Sequence, residues 1–235
     1  MPRIKQTVVF SYDELEEDAQ EWARDRYREH HLDYEWWEDT YEDIDKVSGF
    51  LGIDLRQTRV QLMNGASRYK PTIYFTGFGH QGQGSSYTAR WQMSIVNRAA
   101  LEEYLNLNDS ANTVLKNILA TFEAHKERYP DAEATVRSHR DTAISVEVQL
   151  GDRNIDNDLE YDTPLNALEF DSPKYRQLDA IEQTIVEAIK QALQDFNHWI
   201  FQRLEQEHEW LNSDEQVAES ICANGYEFTS DGQLA

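Results

Sequence analysis

IYFTGFGHQGQGSSYTARWQMSI, residues 73–95, has four glycines within eight positions, and apolar and polar residues alternate on both sides of them. Alternation with a period of two indicates β-strands. Gly77, Gly79 and Gly82 also match the GxGxxG pattern of dinucleotide-binding loops. That motif requires a helix directly after the loop, because the helix N-terminus holds the pyrophosphate. Here a second strand pattern follows, so the stretch predicts a wide hairpin or bulge whose glycines supply positive φ.

Strand patterns continue on both sides of this stretch. Upstream, alternation runs through Val60 and Leu62; downstream it returns at 134–139 and 144–150, and a hairpin turn is predicted at 140–142. Between them, a helix is expected from about Asp109 to Tyr129, because Pro130 cannot continue it.

Helical periodicity governs the two ends of the chain. Ser11 with Glu14 has capping-box spacing and predicts a helix start. One face of this helix is predicted to be apolar: Leu15, Ala19, Trp22, Ala23 and Tyr27. A second helix is expected from Trp36 to Leu51, and a third, roughly 50 Å long, over 178–211. A last helix is expected to start at Ser213 and to end at Gly225.

These elements predict one α+β domain over residues 1–235, with an antiparallel sheet of about four to six strands packed against an N-terminal helix pair, an inserted helix and a long C-terminal helix. Its parts are a helical segment 11–52, the sheet 53–150, an acidic surface loop 151–173 and a helical segment 174–224. The long helix is also a candidate homodimer surface.

The charge is strongly negative, with 44 Asp and Glu against 22 Lys and Arg. An acidic surface repels nucleic acid and anionic membranes and attracts basic proteins, so a basic partner is predicted. A solubilising surface is the alternative explanation. The chain shows no signal peptide, and its lone cysteine, Cys222, fits a reducing compartment, so a cytoplasmic location is expected.

The acids are concentrated near the N-terminus, where fifteen of them stand against three arginines between Asp13 and Asp45. Such crowding destabilises helices through like-charge pairs, which favours a functional reason for it. We predict that a cationic partner contacts five of these acids: Glu35, Glu38, Asp39, Glu42 and Asp43. Trp36, Trp37 and Tyr41 are apolar anchors if exposed, although core packing is the commoner role of such residues.

The tip of the glycine loop is the second candidate contact, through His80, Gln81 and Gln83. No metal site, cofactor or catalytic group is predicted, because the histidines lack matching ligands and no GxSxG occurs. Cys222, with Ile221 and Ala223 beside it, is expected to be packed rather than reactive.

The chain resembles a family of acidic proteins carried by bacteriophages and bacterial mobile elements. Four stretches carry the resemblance: FSYDELEEDAQEWARDRYRE, LDYEWWEDTYEDI, IYFTGFGHQGQGSSY and NSDEQVAESICANGYEFTSDG. Relatives have a glycine box of the form FSGFxxQGxGxxF, and this chain departs from their usual residues at Gly79, His80 and Gln83. Some members have an antitoxin-like label, and the resemblance implies no catalytic residues.

Three functions follow as hypotheses. The first is a phage-type inhibitor in the host cytoplasm that covers the basic surface of a nucleic-acid-handling host protein, in the manner of an anti-CRISPR or anti-restriction protein, without binding nucleic acid itself. The second is an antitoxin that neutralises a cognate toxin. The third is an enzyme with His80, Gln81 and Ser85 in a pocket beside the sheet.

Overall fold

The computed structural model describes residues 8–62, 65–108, 112–151 and 173–235, and the side chains of residues 173–175 are not described. The described chain divides into two compact units, one formed by Met1–Glu38 with Leu204–Ala235 and the other by Asp39–Arg203. The α+β class, the antiparallel sheet, the N-terminal helices and the long C-terminal helix predicted from the sequence are confirmed. The single domain over 1–235 stays a prediction.

Six helices lie in the described residues: α1 Glu17–Arg28, α2 Glu38–Phe50, α3 Arg98–Asn108, α4 Thr113–Lys126, α5 Pro173–Leu211 and α6 Asp214–Ala223. Ten strands accompany them: β1 Phe10–Ser11, β2 Ile53–Leu55, β3 Gln57–Gln61, β4 Ser67–Pro71, β5 Ile73–Phe75, β6 Ser85–Tyr87, β7 Ala89–Gln92, β8 Glu133–His139, β9 Ala143–Gln149 and β10 Glu227–Phe228. Every strand pair is antiparallel.

The core of the second unit lies on one face of a four-stranded sheet in the order β2-β7-β8-β9. Trp91 of β7 is fully buried, packs at a tilt of 40° against Phe122 of α4 with ring centroids 4.7 Å apart, and donates from Nε1 to the Leu51 carbonyl at 3.1 Å. Tyr87 of β6 donates to the Leu193 carbonyl of α5 at 3.0 Å. Because alternate residues face opposite sides, the polar residues of β7 and β8 face solvent.

The first unit is built from both ends of the chain. β1 pairs with β10 through Phe10 and Phe228, and α1 and α6 pack together over a shared core. The buried members of this core are Tyr12, Leu15, Ala19, Ala23, Val217, Ile221 and Phe228. Gly232 closes against α1, since a Cβ there would lie 2.3 Å from the Ala19 carbonyl oxygen, and its φ is 81°.

Two sequence predictions about helices are wrong, and one helix was not predicted. The capping box predicted at Ser11 and Glu14 is present, but it starts a 3-10 turn, Tyr12–Glu14, and the α-helix begins only at Glu17. The helix predicted over about 109–129 is observed as α4, which is shorter and spans Thr113–Lys126. The helix before it, α3, was not predicted. Asn112 is the N-cap of α4, because the Asn112 side chain accepts a hydrogen bond from Leu115 N at 3.0 Å.

Other predictions concern turns and loops. The 140–142 turn is confirmed, with Arg140 at a φ of 58°. The N-cap at Ser213 is also confirmed, because its side chain accepts from Gln216 N. The predicted acidic loop 151–173 lies almost entirely outside the described residues.

Candidate functional site

Negative charge is concentrated in the first unit. Its 70 residues contain 19 Asp and Glu against 5 Lys and Arg, a formal charge of −14. The second unit holds the other 25 acids and 17 bases over 165 residues, a formal charge of −8. The acidic character that the whole sequence suggests is therefore a property of one unit above all.

The solvent face of α1 carries four of the 19 acids of the first unit, although the helix also contains Arg24, Arg26 and Arg28. Residues three and four apart share a helix face. Ala19 and Ala23 are buried, so the opposite face of α1 lies towards solvent. That side is exposed, and we call it the acidic face of α1: Glu17, Asp18, Glu21, Trp22 and Asp25. Trp22 is 42% exposed, which corrects its predicted place on the apolar face.

Arginines within the unit neutralise part of this charge. Arg28 lies 2.7 Å from Asp25 and also binds Asp214, while Arg24 Nε lies 3.5 Å from Asp214. The hydrogen bond from Arg28 and the charge of Arg24 lower the pKa of Asp214 below its usual 3.8. The side chains of Glu17 and Asp18, by contrast, form no hydrogen bond or ion pair within the part of the chain that the structure describes.

The five acids predicted to contact a partner are distributed over both units. Glu35 and Glu38 belong to the first unit, and Asp39, Glu42 and Asp43 to the second. Asp39 and Glu42 are exposed. Asp43 is half-buried, accepts a 2.6 Å hydrogen bond from the Tyr104 hydroxyl and lies 3.8 Å from Arg203, so its charge is already balanced inside the unit.

The aromatic residues beside these acids have structural contacts. Tyr41 is buried and donates to the Ile73 carbonyl at 3.1 Å. Trp36 and Trp37 are half-buried, with ring centroids 5.6 Å apart, and Trp36 lies equally close to the His208 ring. The exposed aromatics of the first unit lie elsewhere, at Trp22, Tyr34, Trp210 and Tyr226.

The glycine loop is a hairpin between β5 and β6, as the sequence predicts, and a strand follows it directly. Gly79 and Gly82 have φ of 96° and 87°. Phe78 holds the loop down, with its ring 5.7 Å from that of Phe75 and 5.3 Å from that of Phe201 on α5. The loop therefore owes its shape to backbone and packing requirements rather than to a nucleotide.

The polar residues of the loop tip differ in their roles. His80 and Gln81 are exposed. Gln83 folds inward, because its Oε1 accepts a 2.6 Å hydrogen bond from the His80 backbone N–H. Two residues of the predicted contact site are therefore open to a partner, and the third stabilises the loop.

Ser85, which the enzyme hypothesis requires, is buried. Its hydroxyl donates to the Asn197 carbonyl at 2.8 Å, and the Asn197 amide donates back to the Ser85 carbonyl at the same distance. A serine bound in this way inside the sheet connects β6 to α5 and does not face the exposed His80 and Gln81. Among the described residues, no group of three or more His, Cys, Asp or Glu could hold a metal ion.

Cys222 is exposed, which corrects the packing predicted for it. Its Sγ lies 3.8 Å from Asp13 Oδ1. Partial burial of the thiol is the main cause that raises the pKa of Cys222, and the negative charge of the Asp13 carboxylate is the second. The thiol therefore stays protonated near neutral pH and is a poor nucleophile.

Residues 36–214 match the model of the family described as Domain of unknown function (DUF8835). The match includes 179 of the 235 residues, so the chain belongs to this family. It takes in the whole second unit and leaves α1 outside. No curated protein and no solved structure matches the chain. No helix in the described ranges is both long and apolar enough to cross a membrane.

Proposed function

We propose that this member of the DUF8835 family is a non-enzymatic inhibitor that binds a basic, nucleic-acid-handling host protein through the acidic face of α1. Carboxylates on that face take the places that nucleic-acid phosphates occupy on the free partner, so the two compete. The proposed site of action is the host cytoplasm, where a bacteriophage protein of this kind would block a defence protein.

The uneven charge distribution carries this proposal. A formal charge of −14 on 70 residues produces a field that steers basic proteins towards the first unit and repels nucleic acid. Charge needed only for solubility would be expected over both units. The side chains of Glu17 and Asp18 have no partner in the described structure, so these two acids can pair with a cation without breaking an internal bond.

Trp22 adds the apolar component that a specific interface requires. It is 42% exposed and has Asp18 four positions before it and Asp25 three positions after it, so all three share one helix face. Tryptophan is enriched among residues that dominate binding energy, and its ring face also attracts Lys and Arg. The acidic face of α1 therefore offers both attraction at a distance and an anchor at contact.

The test uses the full chain as bait in host lysate at low and high salt, followed by purification of the captured protein and measurement of its affinity. We expect a basic protein whose binding weakens as salt rises and which nucleic acid displaces. The triple variant Glu17→Lys, Asp18→Lys, Glu21→Lys should weaken that binding at least about tenfold, since each reversed charge removes an attraction and adds a repulsion.

A matched control reverses three exposed acids of the second unit: Glu103→Lys, Asp131→Lys and Asp179→Lys. Both triple variants change the net charge by the same amount. A difference between their affinities for the captured protein therefore reports the location of the reversed charges and not the total charge. The proposal is rejected if both variants bind the captured protein alike, or if that protein binds equally well in the presence of saturating nucleic acid.

A further inference from the structure

An open trough of about 490 Å³ lies on the solvent face of the four-stranded sheet, across β2, β7 and β8 of the second unit. Its lining is polar, and it includes three arginines but only one acid. We call it the arginine trough, defined by Asp54, Arg56, Thr88, Arg90, Thr135 and Arg137. Its volume is in the range of small-ligand sites.

The register of the strands places the three arginines around Thr88. Arg56 lies beside Thr88 on one side, because the Arg56 backbone N–H donates to the Thr88 carbonyl at 2.8 Å. Arg137 lies opposite Thr88 on the other side, in the register that pairs β7 with β8. Arg90 follows two positions after Thr88 and therefore lies on the same face of the sheet. Since diagonal neighbours on a sheet are about 7 to 8 Å apart, three long side chains can reach one anion above Thr88.

Two of the three arginines have no ion-pair partner in the described part of the chain. Arg137 lies 3.4 Å from Glu147 on β9. Arg56 and Arg90 form no ion pair among the described residues, although Asp54 stands opposite Arg90 in the strand register. The trough with its edge therefore has three guanidinium groups against two carboxylates, and two of these guanidinium groups are available to an anion.

The sequence that supplies Arg56 and Arg90 contains no acid. No Asp or Glu occurs between Asp54 and Glu102, a stretch of 47 residues with six Lys and Arg, although 44 of the 235 residues of the chain are acids. Neighbours in this stretch therefore cannot neutralise the two arginines. The planar guanidinium fork matches phosphate oxygens and binds them through charge-assisted hydrogen bonds.

We propose that the arginine trough binds a small phosphomonoester, whose phosphate is held by the three arginines above Thr88. The Thr135 hydroxyl and the Asp54 carboxylate then bind hydroxyl groups on the organic part of the ligand. None of the described residues that line the trough is aromatic, so no ring is present on which a nucleobase could stack. The formal charge of −8 on the second unit also disfavours a long polyanion. This site does not depend on the partner proposed for α1.

The test titrates the full chain in phosphate-free buffer at constant ionic strength, followed by amide NMR shifts of residues 53–56, 88–91 and 134–138. The probes are glycerol 3-phosphate, inorganic phosphate, glycerol and a short single-stranded deoxythymidine oligonucleotide. We expect glycerol 3-phosphate to shift these amides saturably and to bind several-fold more tightly than inorganic phosphate, and glycerol to leave them unchanged. Arg90→Gln should weaken the binding of glycerol 3-phosphate at least about fivefold, because it removes charge-assisted hydrogen bonds.

Arg59→Gln is the matched control, since Arg59 is exposed, belongs to the same acid-free stretch and does not line the trough. Equal affinities of the two variants for glycerol 3-phosphate overturn the proposal, and so does a titration without saturable shifts. Equal affinities of the wild type for inorganic phosphate and glycerol 3-phosphate would show a simple ion site. Tighter binding of the oligonucleotide than of glycerol 3-phosphate would show a nucleic-acid surface. Either of these two results also overturns the proposal.

Discussion

At the scale of single residues, a few contacts hold the acidic unit together against its own repulsion. Gly232 lets the chain after β10 close on α1, because only a residue without a Cβ fits beside the Ala19 carbonyl. Arg28 joins α1 to the start of α6, donating from Nε to the Asn212 carbonyl at 3.0 Å and binding Asp214. Neither role is visible from the sequence, since each residue contacts one about 180 to 210 positions away in the chain.

Gly232→Ala should destabilise the protein by about 2 to 4 kcal/mol, because the new methyl group overlaps the Ala19 carbonyl and φ is positive. Gly225→Ala is the control: its φ is 64°, but a Cβ there meets nothing within 4 Å, so about 1 kcal/mol is expected from φ alone. Urea denaturation measures both. Equal losses in the two variants would contradict the close packing at Gly232.

Asp214→Asn should lower stability by about 1 kcal/mol at neutral pH, because an exposed carboxylate with two arginine partners at a helix N-terminus contributes about that much. The pKa of Asp214 is lowered in the folded state, so its contribution is present above the usual 3.8 and is lost as the pH falls through the lower folded value. The difference between wild type and variant should therefore shrink below about pH 4.

Urea titrations at several pH values measure this difference. Glu215→Gln, at the next position and exposed, is the control, and it should show a much smaller effect at neutral pH. If the difference in free energy of unfolding between wild type and Asp214→Asn stays constant down to about pH 2, the ionised Asp214 carboxylate does not stabilise the fold as proposed.

At the scale of elements, the glycine hairpin was predictable because its signal is local. Alternation marks the strands and the glycines mark the turn, within 23 residues of continuous sequence. What holds the hairpin was not predictable: Phe78 reaches Phe201, and Ser85 binds Asn197, across more than a hundred positions. The split between α3 and α4 was missed because the cap at Asn112 is a single side-chain bond.

Phe78→Ala should free the glycine loop without unfolding the sheet, since it removes the ring contacts with Phe75 and Phe201. A half-buried aromatic side chain contributes about 1 to 2 kcal/mol, so the loss should be local. Hydrogen exchange of the hydrogen-bonded loop amides, those of Thr76, His80 and Gly84, should become faster. Gln81→Ala, an exposed tip residue, serves as control; loop exchange that is equal in both variants would contradict the anchoring role.

At the scale of the whole molecule, the sequence predicted the fold class and an acidic N-terminal region. It did not predict which of the carboxylates are paired with other side chains in the fold. Fifteen acids between Asp13 and Asp45 look equivalent in one dimension. In three dimensions Asp43 is paired with Tyr104 and Arg203, whereas Glu17 and Asp18 have no partner in the described structure. Tyr27 and Tyr226 come together only after the two ends of the first unit meet, so no spacing rule predicted their ring contact.

Salt should stabilise the protein, because screening weakens the repulsion among its excess carboxylates. Raising NaCl from about 10 mM to about 0.5 M should increase Tm by roughly 2 to 5 °C, if several like-charge pairs of a few tenths of a kcal/mol each are relieved. Thermal melts followed by circular dichroism measure the shift. The triple α1 charge reversal should respond less to salt; a Tm that falls with salt would contradict the prediction.

The short ribbon between Phe10 and Phe228 has a consequence for biosynthesis. Phe10 leaves the ribosome 218 positions before Phe228, its strand partner. The second unit, residues 39–203, has all its own contacts available before that moment. During translation the acidic helix α1 therefore emerges before the second unit and completes its tertiary contacts after it. A nascent chain stalled before α6 would carry α1 without the helix that covers its apolar side.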